Sequence, residues 1–362
     1  MPVQRVLLTG ANNLIGSHIL HQLLYSNVSV RAVVRSREEA QTIQQQYPPT
    51  NPPRLDFAII HPRDLAIPGA YDDALNAYPE PFDAVLHVIA ADASEEADCL
   101  SRFIHLETDT LINFLRSVKE VSTSVRRVVV ISTLTPFARW LVDPQAERSP
   151  RGDNLLASRS VEIDPEYILA TSQASDNIIH EALWRWRKDA NAQFDLVFLT
   201  APSIYGPSIR PLNNSSDLEE ANRRIWNICS NSSNDYAISP PYGIDYYTDV
   251  RDLATASVQA VFVPEASNRR FVISAGVIPS RSAIAEFLIS RFPELGTRVR
   301  ADGSPPRRTM SGDPPLDFIN THLTAVILRL AQYRPTEETL IDLARQIIEL
   351  HRRREWKRVI QS

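Results

Sequence analysis

The sequence predicts an α/β fold, a doubly wound parallel sheet with a smaller C-terminal lobe. Apolar runs of strand length alternate with helical stripes of apolar residues up to residue 199, as in a parallel sheet covered by helices on both faces. The first apolar run ends in a small-residue turn that leads directly into a helix. The chain has 362 residues, 43% of them hydrophobic, which is enough for a large core.

The first strand, turn and helix form a unit that favours a dinucleotide. A strand at 6–8 ends at Thr9-Gly10, and helical periodicity begins at Leu14 and Ile15. The free N–H groups and dipole of a helix start hold a pyrophosphate, while Gly10 permits a tight turn and Gly16 permits close packing on the sheet. A strand, a small-residue turn and a helix in this order form the first βα unit of a dinucleotide-binding, Rossmann-type fold.

Asn13 stands where the usual fingerprint has its middle glycine. Asparagine is the residue other than glycine that best tolerates positive φ, so we expect the turn to form. Its side chain is also expected to crowd a bound phosphate. The alternative is a fold of this type with weakened or lost nucleotide affinity.

The remaining elements follow in order. After the second strand, at 28–35, residues 41–54 are polar and proline-rich and predict a surface loop. Helices are predicted at 100–121, 167–187, 282–289, 319–332 and 336–356, and one begins at Asp249. Ile178 and Ile179 are expected on the buried side of the 167–187 helix. The later strands are predicted at 55–60, 82–90, 126–131, 194–199 and 270–274.

Composition excludes several functions. A net charge of −5 argues against nucleic acid as a partner, and no apolar run approaches the ~20 residues that span a bilayer. The N-terminus has no signal pattern, so we expect a cytoplasmic protein. Cys99 and Cys229 make neither a disulfide framework nor a metal site, and we expect both to be buried.

The second strand ends in Arg35, 25 positions after Gly10. An acidic residue there would bind the ribose 2′-hydroxyl of NAD, whereas arginine suits the 2′-phosphate of NADP. The sequence therefore favours NADP(H). The alternative is a solvated arginine cluster in front of a helix.

Several segments together resemble one family. They are Thr9-Gly10 with Ile15-Gly16; Arg31 and Arg35; Asp64-Leu65; His87-Val88 with Ala90; 126–129 leading to Ser132-Thr133; Tyr167; Pro202 with Gly206-Pro207; and 249–252. By their order and spacing, the chain resembles an extended short-chain dehydrogenase/reductase of the NAD-dependent epimerase/dehydratase type. It is most similar to dihydroflavonol reductases, cinnamoyl-CoA reductases and fungal aldehyde or methylglyoxal reductases.

The resemblance implies a cofactor site and a domain organisation. Residues 1–204, with about 246–264, would form the NADP-binding domain, and 205–245 with 265–362 the substrate-binding lobe. The partner would be a small carbonyl substrate, with neither nucleic acid nor membrane as a partner. The protein would be a monomer or a homodimer. The implied cofactor-binding residues are Gly10, Asn12, Asn13, Leu14, Ile15, Gly16, Arg35, Asp64 and Leu65 (adenine side), Ala90, Tyr167, Pro202 and Ile204 (nicotinamide side).

The resemblance also implies the catalytic residues. A serine or threonine, here Ser132 or Thr133, holds the carbonyl oxygen, and a tyrosine, here Tyr167, donates the proton. The family's lysine, four residues later, lowers the tyrosine's pKa and binds the ribose. That position is Thr171, and since the only lysines are Lys119, Lys188 and Lys357, no Tyr-x-x-x-Lys exists in the chain. Threonine can still hydrogen-bond a ribose hydroxyl or a water.

Three functions remain open at this point. The first is an NADPH-dependent reductase with a modified proton relay. Its substrate would be an aldehyde or ketone on a small organic molecule, such as a secondary metabolite. The second is a catalyst of isomerisation, elimination or cyclisation on the same scaffold, and the third is a non-catalytic NADP(H)-binding regulator. We expect His87 and His180 to be structural and 249–252 to be an ion-paired helix start.

Overall fold

The fold is a seven-stranded parallel sheet with a three-stranded sheet beside it. The computed structural model describes residues 4–51, 53–61, 65–76, 80–89, 99–142, 165–230, 246–296, 321–330 and 332–361. The strands are β1 Arg5–Leu8, β2 Ser29–Val34, β3 Leu55–Ile59, β4 Ala84–Val88, β5 Arg127–Thr133, β6 Asp195–Ala201, β7 Ser203–Tyr205, β8 Tyr246–Asp249, β9 Arg270–Val272 and β10 Gly276–Val277. The large sheet has the order β3-β2-β1-β4-β5-β6-β9, and the prediction of a doubly wound α/β fold is confirmed.

Helices connect these strands and cover both faces of the large sheet. They are α1 Leu14–Tyr25, α2 Arg37–Gln46, α3 Asp72–Leu75, α4 Leu100–Val121, α5 Thr135–Val142, α6 Pro165–Asp189, α7 Glu220–Ser230, α8 Val250–Phe262, α9 Arg281–Arg291, α10 Thr321–Ile327 and α11 Thr336–Gln361. One hydrophobic cluster joins α1 and α8 to one face, and another joins α4 and α6 to the opposite face. Each fully buried Leu, Ile or Val contributes about 1.5–3 kcal/mol, so both layers are needed to hold the sheet.

The prediction of a loop over 41–54 is wrong in its first part, because α2 continues to Gln46. Ser36 caps α2 by accepting a hydrogen bond from the Glu39 amide, and Glu38 and Glu39 suit the positive end of the helix dipole. Ile43 is the buried residue of this helix. Because only one residue of α2 is buried, its composition is as polar as that of a surface loop, and the sequence pattern therefore predicts one.

Two predicted burials are also wrong. Ile178 is 55% exposed, because Ile179 and Leu183 already occupy the sheet-facing side of α6 and the neighbouring position is rotated by about 100°. Cys99 is exposed at the start of α4, where the side chain does not cap the helix, while Cys229 is buried as expected.

The small sheet belongs to a separate cluster of apolar residues. β7 pairs with β8 in parallel, and β10 pairs with β8 in the antiparallel direction. Tyr205 and Tyr247 from this sheet pack in a cluster with residues of α7, α9 and α11. This cluster stands after β6 in the chain, beside the carboxyl edge of the large sheet.

Asp249 joins this region to α8. It caps α8, accepts hydrogen bonds from the backbone and side chain of Arg251, and accepts one from Thr339 Oγ1 at 2.7 Å. Burial favours the neutral acid, but these hydrogen bonds outweigh it and hold the pKa of Asp249 below its usual value. Asp252 pairs with Arg334 at 3.2 Å. The expectation of an ion-paired helix start is confirmed.

Candidate active site

The glycine turn brings the start of α1 against the end of β1. Gly10 has φ +66°, a conformation that residues with a side chain rarely adopt. A Cβ on Gly16 would lie 2.0 Å from the Gly10 carbonyl oxygen, so only glycine fits there. Leu14 and Ile15 are buried beneath the turn. The positive end of α1 is therefore fixed at the carboxyl edge of the sheet, where it favours an anion.

Asn13 acts as the N-cap of α1. Its φ of −93° is extended, so the expectation that this position uses the tolerance of asparagine for positive φ is wrong. Its Oδ1 accepts a hydrogen bond from the Gly16 amide at 2.6 Å. One of the amides that a phosphate would otherwise contact is thus already paired within the chain.

A cation from the polypeptide after β7 lies against the same turn. Arg210 Nη1 donates a hydrogen bond to the backbone oxygen of Asn12 at 2.7 Å. The Arg210 Nη2 lies 3.5 Å from the Glu219 carboxylate, and its Nε is buried without a hydrogen-bond partner. This guanidinium adds positive charge beside the N-terminus of α1.

The predicted 2′-phosphate site lies at the end of β2. The Arg35 side chain is 54% exposed, and its Nε donates to Glu39 Oε1 at 2.9 Å. The Arg35 amide donates to the other oxygen of the same carboxylate at 2.8 Å. A phosphate at this position has to compete with Glu39 for the guanidinium. Leu65 packs partly buried against the α4–α6 layer, whereas Asp64 and Ala90 lie outside the described residues.

The ends of β5 and β6 bring together residues that the sequence predicts for the catalytic and nicotinamide sites. Ser132 pairs in register with Thr200, and Thr133 with Ala201. Pro202 follows directly and is buried, and Ile204 packs against the α1–α8 cluster. These residues therefore share the carboxyl edge of the sheet with the glycine turn.

A buried carboxylate holds the Ser132 hydroxyl. Ser132 Oγ donates to Asp176 Oδ1 at 3.1 Å, and Thr200 Oγ1 donates to Asp176 Oδ2 at 2.7 Å. Ser132 and Asp176 are 4% and 3% exposed, so this is a closed network. Because the Ser132 proton is committed to a carboxylate, the half-buried Thr133 is the better candidate to bind a carbonyl oxygen.

The start of α6 lies beside the end of β5. Tyr167 is in the first turn of α6 and is 59% exposed. The next two residues, Ile168 and Leu169, pack in one cluster with Leu134, which follows Thr133. Thr171 is half-buried one turn later, and its carbonyl oxygen accepts a hydrogen bond from a serine hydroxyl.

Sequence reasoning missed two buried acids next to these hydroxyls. Glu107 on α4 and Asp176 on α6 line a small cavity together with Ser132, Thr133 and His180. Burial raises the pKa of Glu107 to about 7 and lowers the pKa of His180 to about 4. Asp176 has the same helical spacing as the buried residues of α6, and an acid on such an apolar side is the signal that could have revealed it.

The two histidines have different surroundings. His87 Nδ1 lies 3.0 Å from Thr9 Oγ1, and its ring stacks on Phe114 with 4.1 Å between centroids, in agreement with a structural role. His180 Nε2 lies 3.3 Å from Asp176 Oδ1, but its Nδ1 is buried without a hydrogen-bond partner.

Comparison with known proteins identifies the family. A family model described as the NAD dependent epimerase/dehydratase family matches residues 6–274. The chain belongs to this family. Within the described ranges, no helix has both the length and the apolar character needed to cross a membrane.

Named relatives of this epimerase/dehydratase-family chain include reductases from fungi. Ketoreductase azaE of Aspergillus niger is 28% identical, with 82% of this chain and 85% of that protein covered. The putative NADPH-dependent methylglyoxal reductase GRP2 of Candida albicans is 24% identical, with 81% and 84% covered. The crystal structure of yeast methylglyoxal/isovaleraldehyde reductase Gre2 complexed with NADPH superposes with a TM-score of 0.69 at 20% identity, covering 97% of this chain and all (100%) of that one.

Proposed function

We propose that the protein is an NADP(H)-dependent reductase of aldehydes or ketones on small organic molecules. The observation that carries this proposal is the common edge on which the glycine turn, Thr133 and the start of α6 with Tyr167 lie. The residues at this edge fit the cofactor, because the glycine turn fixes the positive end of α1 at the edge and Arg35 stands where a 2′-phosphate is expected. Relatives named as a ketoreductase and an NADPH-dependent reductase support the same chemistry.

Each residue then has a defined part in the reaction. The cofactor, when bound, supplies a hydride to the carbonyl carbon. Thr133 and Tyr167 donate hydrogen bonds to the carbonyl oxygen, where negative charge develops, and stabilise it there. Asp176 fixes Ser132 and, through it, the backbone that presents Thr133. Thr171 binds a ribose hydroxyl or a water.

NADPH titration and a reductase assay test this proposal. The purified protein should change NADPH fluorescence and oxidise NADPH in the presence of an aldehyde or ketone. Tyr167→Phe should lower the rate by about 100-fold while leaving NADPH affinity within a few-fold, because it removes a hydrogen-bond donor to the carbonyl oxygen, where negative charge develops. Tyr25→Phe is the matched control, since Tyr25 is 85% exposed at the far end of α1. Absence of NADPH binding at millimolar concentration would contradict the proposal.

Asn13 favours a second candidate, catalysis on this scaffold without a hydride. Its side chain pairs with the Gly16 amide, which weakens the phosphate site. An isomerase, lyase or cyclase would convert its substrate without added cofactor and without a change in nicotinamide absorbance. A protein that binds NADPH tightly and shows neither activity would instead be a regulator.

A further inference from the structure

Three ionisable side chains surround one cavity behind the end of β5. Glu107, Asp176 and His180 are 5%, 3% and 2% exposed. They line a cavity of about 40 Å³ with Ser132, Thr133 and a set of apolar side chains. A water needs roughly 10–15 Å³ of such space and two or more polar partners, so this cavity has room and partners for about two waters.

The polar groups of this cluster are only partly satisfied by one another. Both Asp176 oxygens accept hydrogen bonds, from Ser132 and from Thr200. His180 reaches Asp176 through Nε2, whereas its Nδ1 has no hydrogen-bond partner in the protein. A buried polar atom without a partner destabilises the fold, which favours a water in the cavity.

The reduction of a carbonyl needs one proton per turnover, and α6 offers no cation to assist it. From Pro165 to Trp184 this helix contains neither lysine nor arginine, and Thr171 lies one turn after Tyr167. Glu107 is a buried acid that lines the same cavity as Thr133, and it can supply a proton from behind the β5 hydroxyls.

We propose that Glu107 and water in this cavity supply the proton that the reaction consumes, passing it to the carbonyl oxygen through the hydroxyl of Thr133. This inference rests on the reductase function proposed above. Asp176 and His180 position the water and the β5 hydroxyls but do not touch the reacting atoms.

The proton transfers balance in both number and charge. As the hydride forms the new C–H bond, the carbonyl oxygen gains an electron pair and takes the proton from Thr133 Oγ. Thr133 regains a proton from the cavity water, and this water takes one from the Glu107 carboxylic acid. The Glu107 carboxylate is then protonated again from solvent, and the product is an alcohol.

The surroundings keep Glu107 able to hold a proton near neutral pH. Burial is the main cause that raises its pKa to about 7, and the charge of Asp176 on α6 adds to it. Burial also raises the pKa of Tyr71, which precedes α3, and lowers the pKa of His87 on β4 to about 3, so both stay neutral. His180, whose pKa is lowered to about 4, is neutral at the same pH despite the opposing effect of Asp176.

The pH dependence of the wild-type reaction is the first test. NADPH-dependent kcat should fall above a pH of about 7, where Glu107 loses its proton, and the reverse oxidation of the alcohol should rise over the same range. A kcat that is flat from pH 6 to 8.5 would overturn the proposal, whatever the variants do.

Glu107→Gln is the second test, because the amide has the same shape and cannot supply a proton. The kcat of this variant should be about 100-fold below that of the wild type at pH 6.5, and it should no longer decrease above pH 7. Its NADPH affinity should stay within two-fold of the wild type. Glu120→Gln on the exposed side of α4 is the control and should leave both unchanged. An unchanged pH profile in Glu107→Gln would overturn this inference alone, whereas a wild type that does not oxidise NADPH would overturn the proposed function as well.

Discussion

Replacing Glu107 by glutamine should change how the stability of the fold depends on pH. The carboxyl binds its proton more tightly in the folded state, with a pKa of about 7 against an ordinary 4.5. The stabilisation that the folded state gains from this tighter proton binding is complete below pH 4.5 and is lost as the pH rises through 7. At about 1.4 kcal/mol per pKa unit, the total loss is about 3 kcal/mol, of which about 2 kcal/mol falls between pH 5.5 and 8.

Urea denaturation at pH 5.5 and pH 8 measures this effect. The free energy of unfolding of Glu107→Gln minus that of the wild type should rise by about 2 kcal/mol between the two pH values. His87 and His180 titrate in both proteins, so their contribution to stability cancels from this difference. Glu120→Gln should follow the wild type. Parallel pH dependences for the wild type and Glu107→Gln would refute the reasoning, because the carboxyl would then be no more protonated in the folded state than in the unfolded one.

Three further predictions concern the cofactor and the phenol. Arg35→Glu should weaken NADPH binding about 10-fold or more and NADH binding much less, and equal losses for both cofactors in fluorescence titrations would exclude a phosphate contact. Glu39→Gln should strengthen NADPH binding, because it removes the carboxylate that competes for the Arg35 guanidinium. Thr171→Lys should raise the reductase rate, since a cation one turn away makes the phenol a stronger hydrogen-bond donor to the developing negative charge, and a lower kcat would contradict this. Asn13→Gly frees the Gly16 amide and should tighten NADPH binding by up to about 10-fold in the same titration, and weaker binding would show that the cap is needed to hold the turn.

The strands and most helices could be predicted from the sequence because their signal is local. An apolar run such as β4 or β5 has to be buried on both faces of a parallel sheet, and its composition shows this directly. The α2 helix lacks such a signal, since its cap and first-turn acids are also typical of turns. Likewise, the backbone conformation of Asn13 depends on the hydrogen bond to Gly16, which composition does not reveal.

The proposed cofactor edge was predictable in outline, but the proposed proton source was not. Gly10, Gly16 and Arg35 belong to a pattern of fixed spacing along one βα unit and its next strand. Glu107 and Asp176 are 69 residues apart in sequence, on two helices that come together only when the chain folds. An isolated acid on an amphipathic helix is usually solvated, so the burial that changes its chemistry can be found only in the folded structure.

The two departures from the pattern that the resemblance implies, at Asn13 and Thr171, differ in their energetic consequences. The Asn13 cap is worth about 1 kcal/mol, so a pyrophosphate that displaces it would lose less than about ten-fold in affinity, which would leave the proposed cofactor site usable. Thr171 removes a full charge, and α6 has no lysine or arginine between Pro165 and Trp184 to take its place. A cation only makes a phenol a stronger acid, whereas a buried carboxylic acid near its pKa gives up a proton itself. Glu107 can therefore do the work of the missing ammonium without standing in its position.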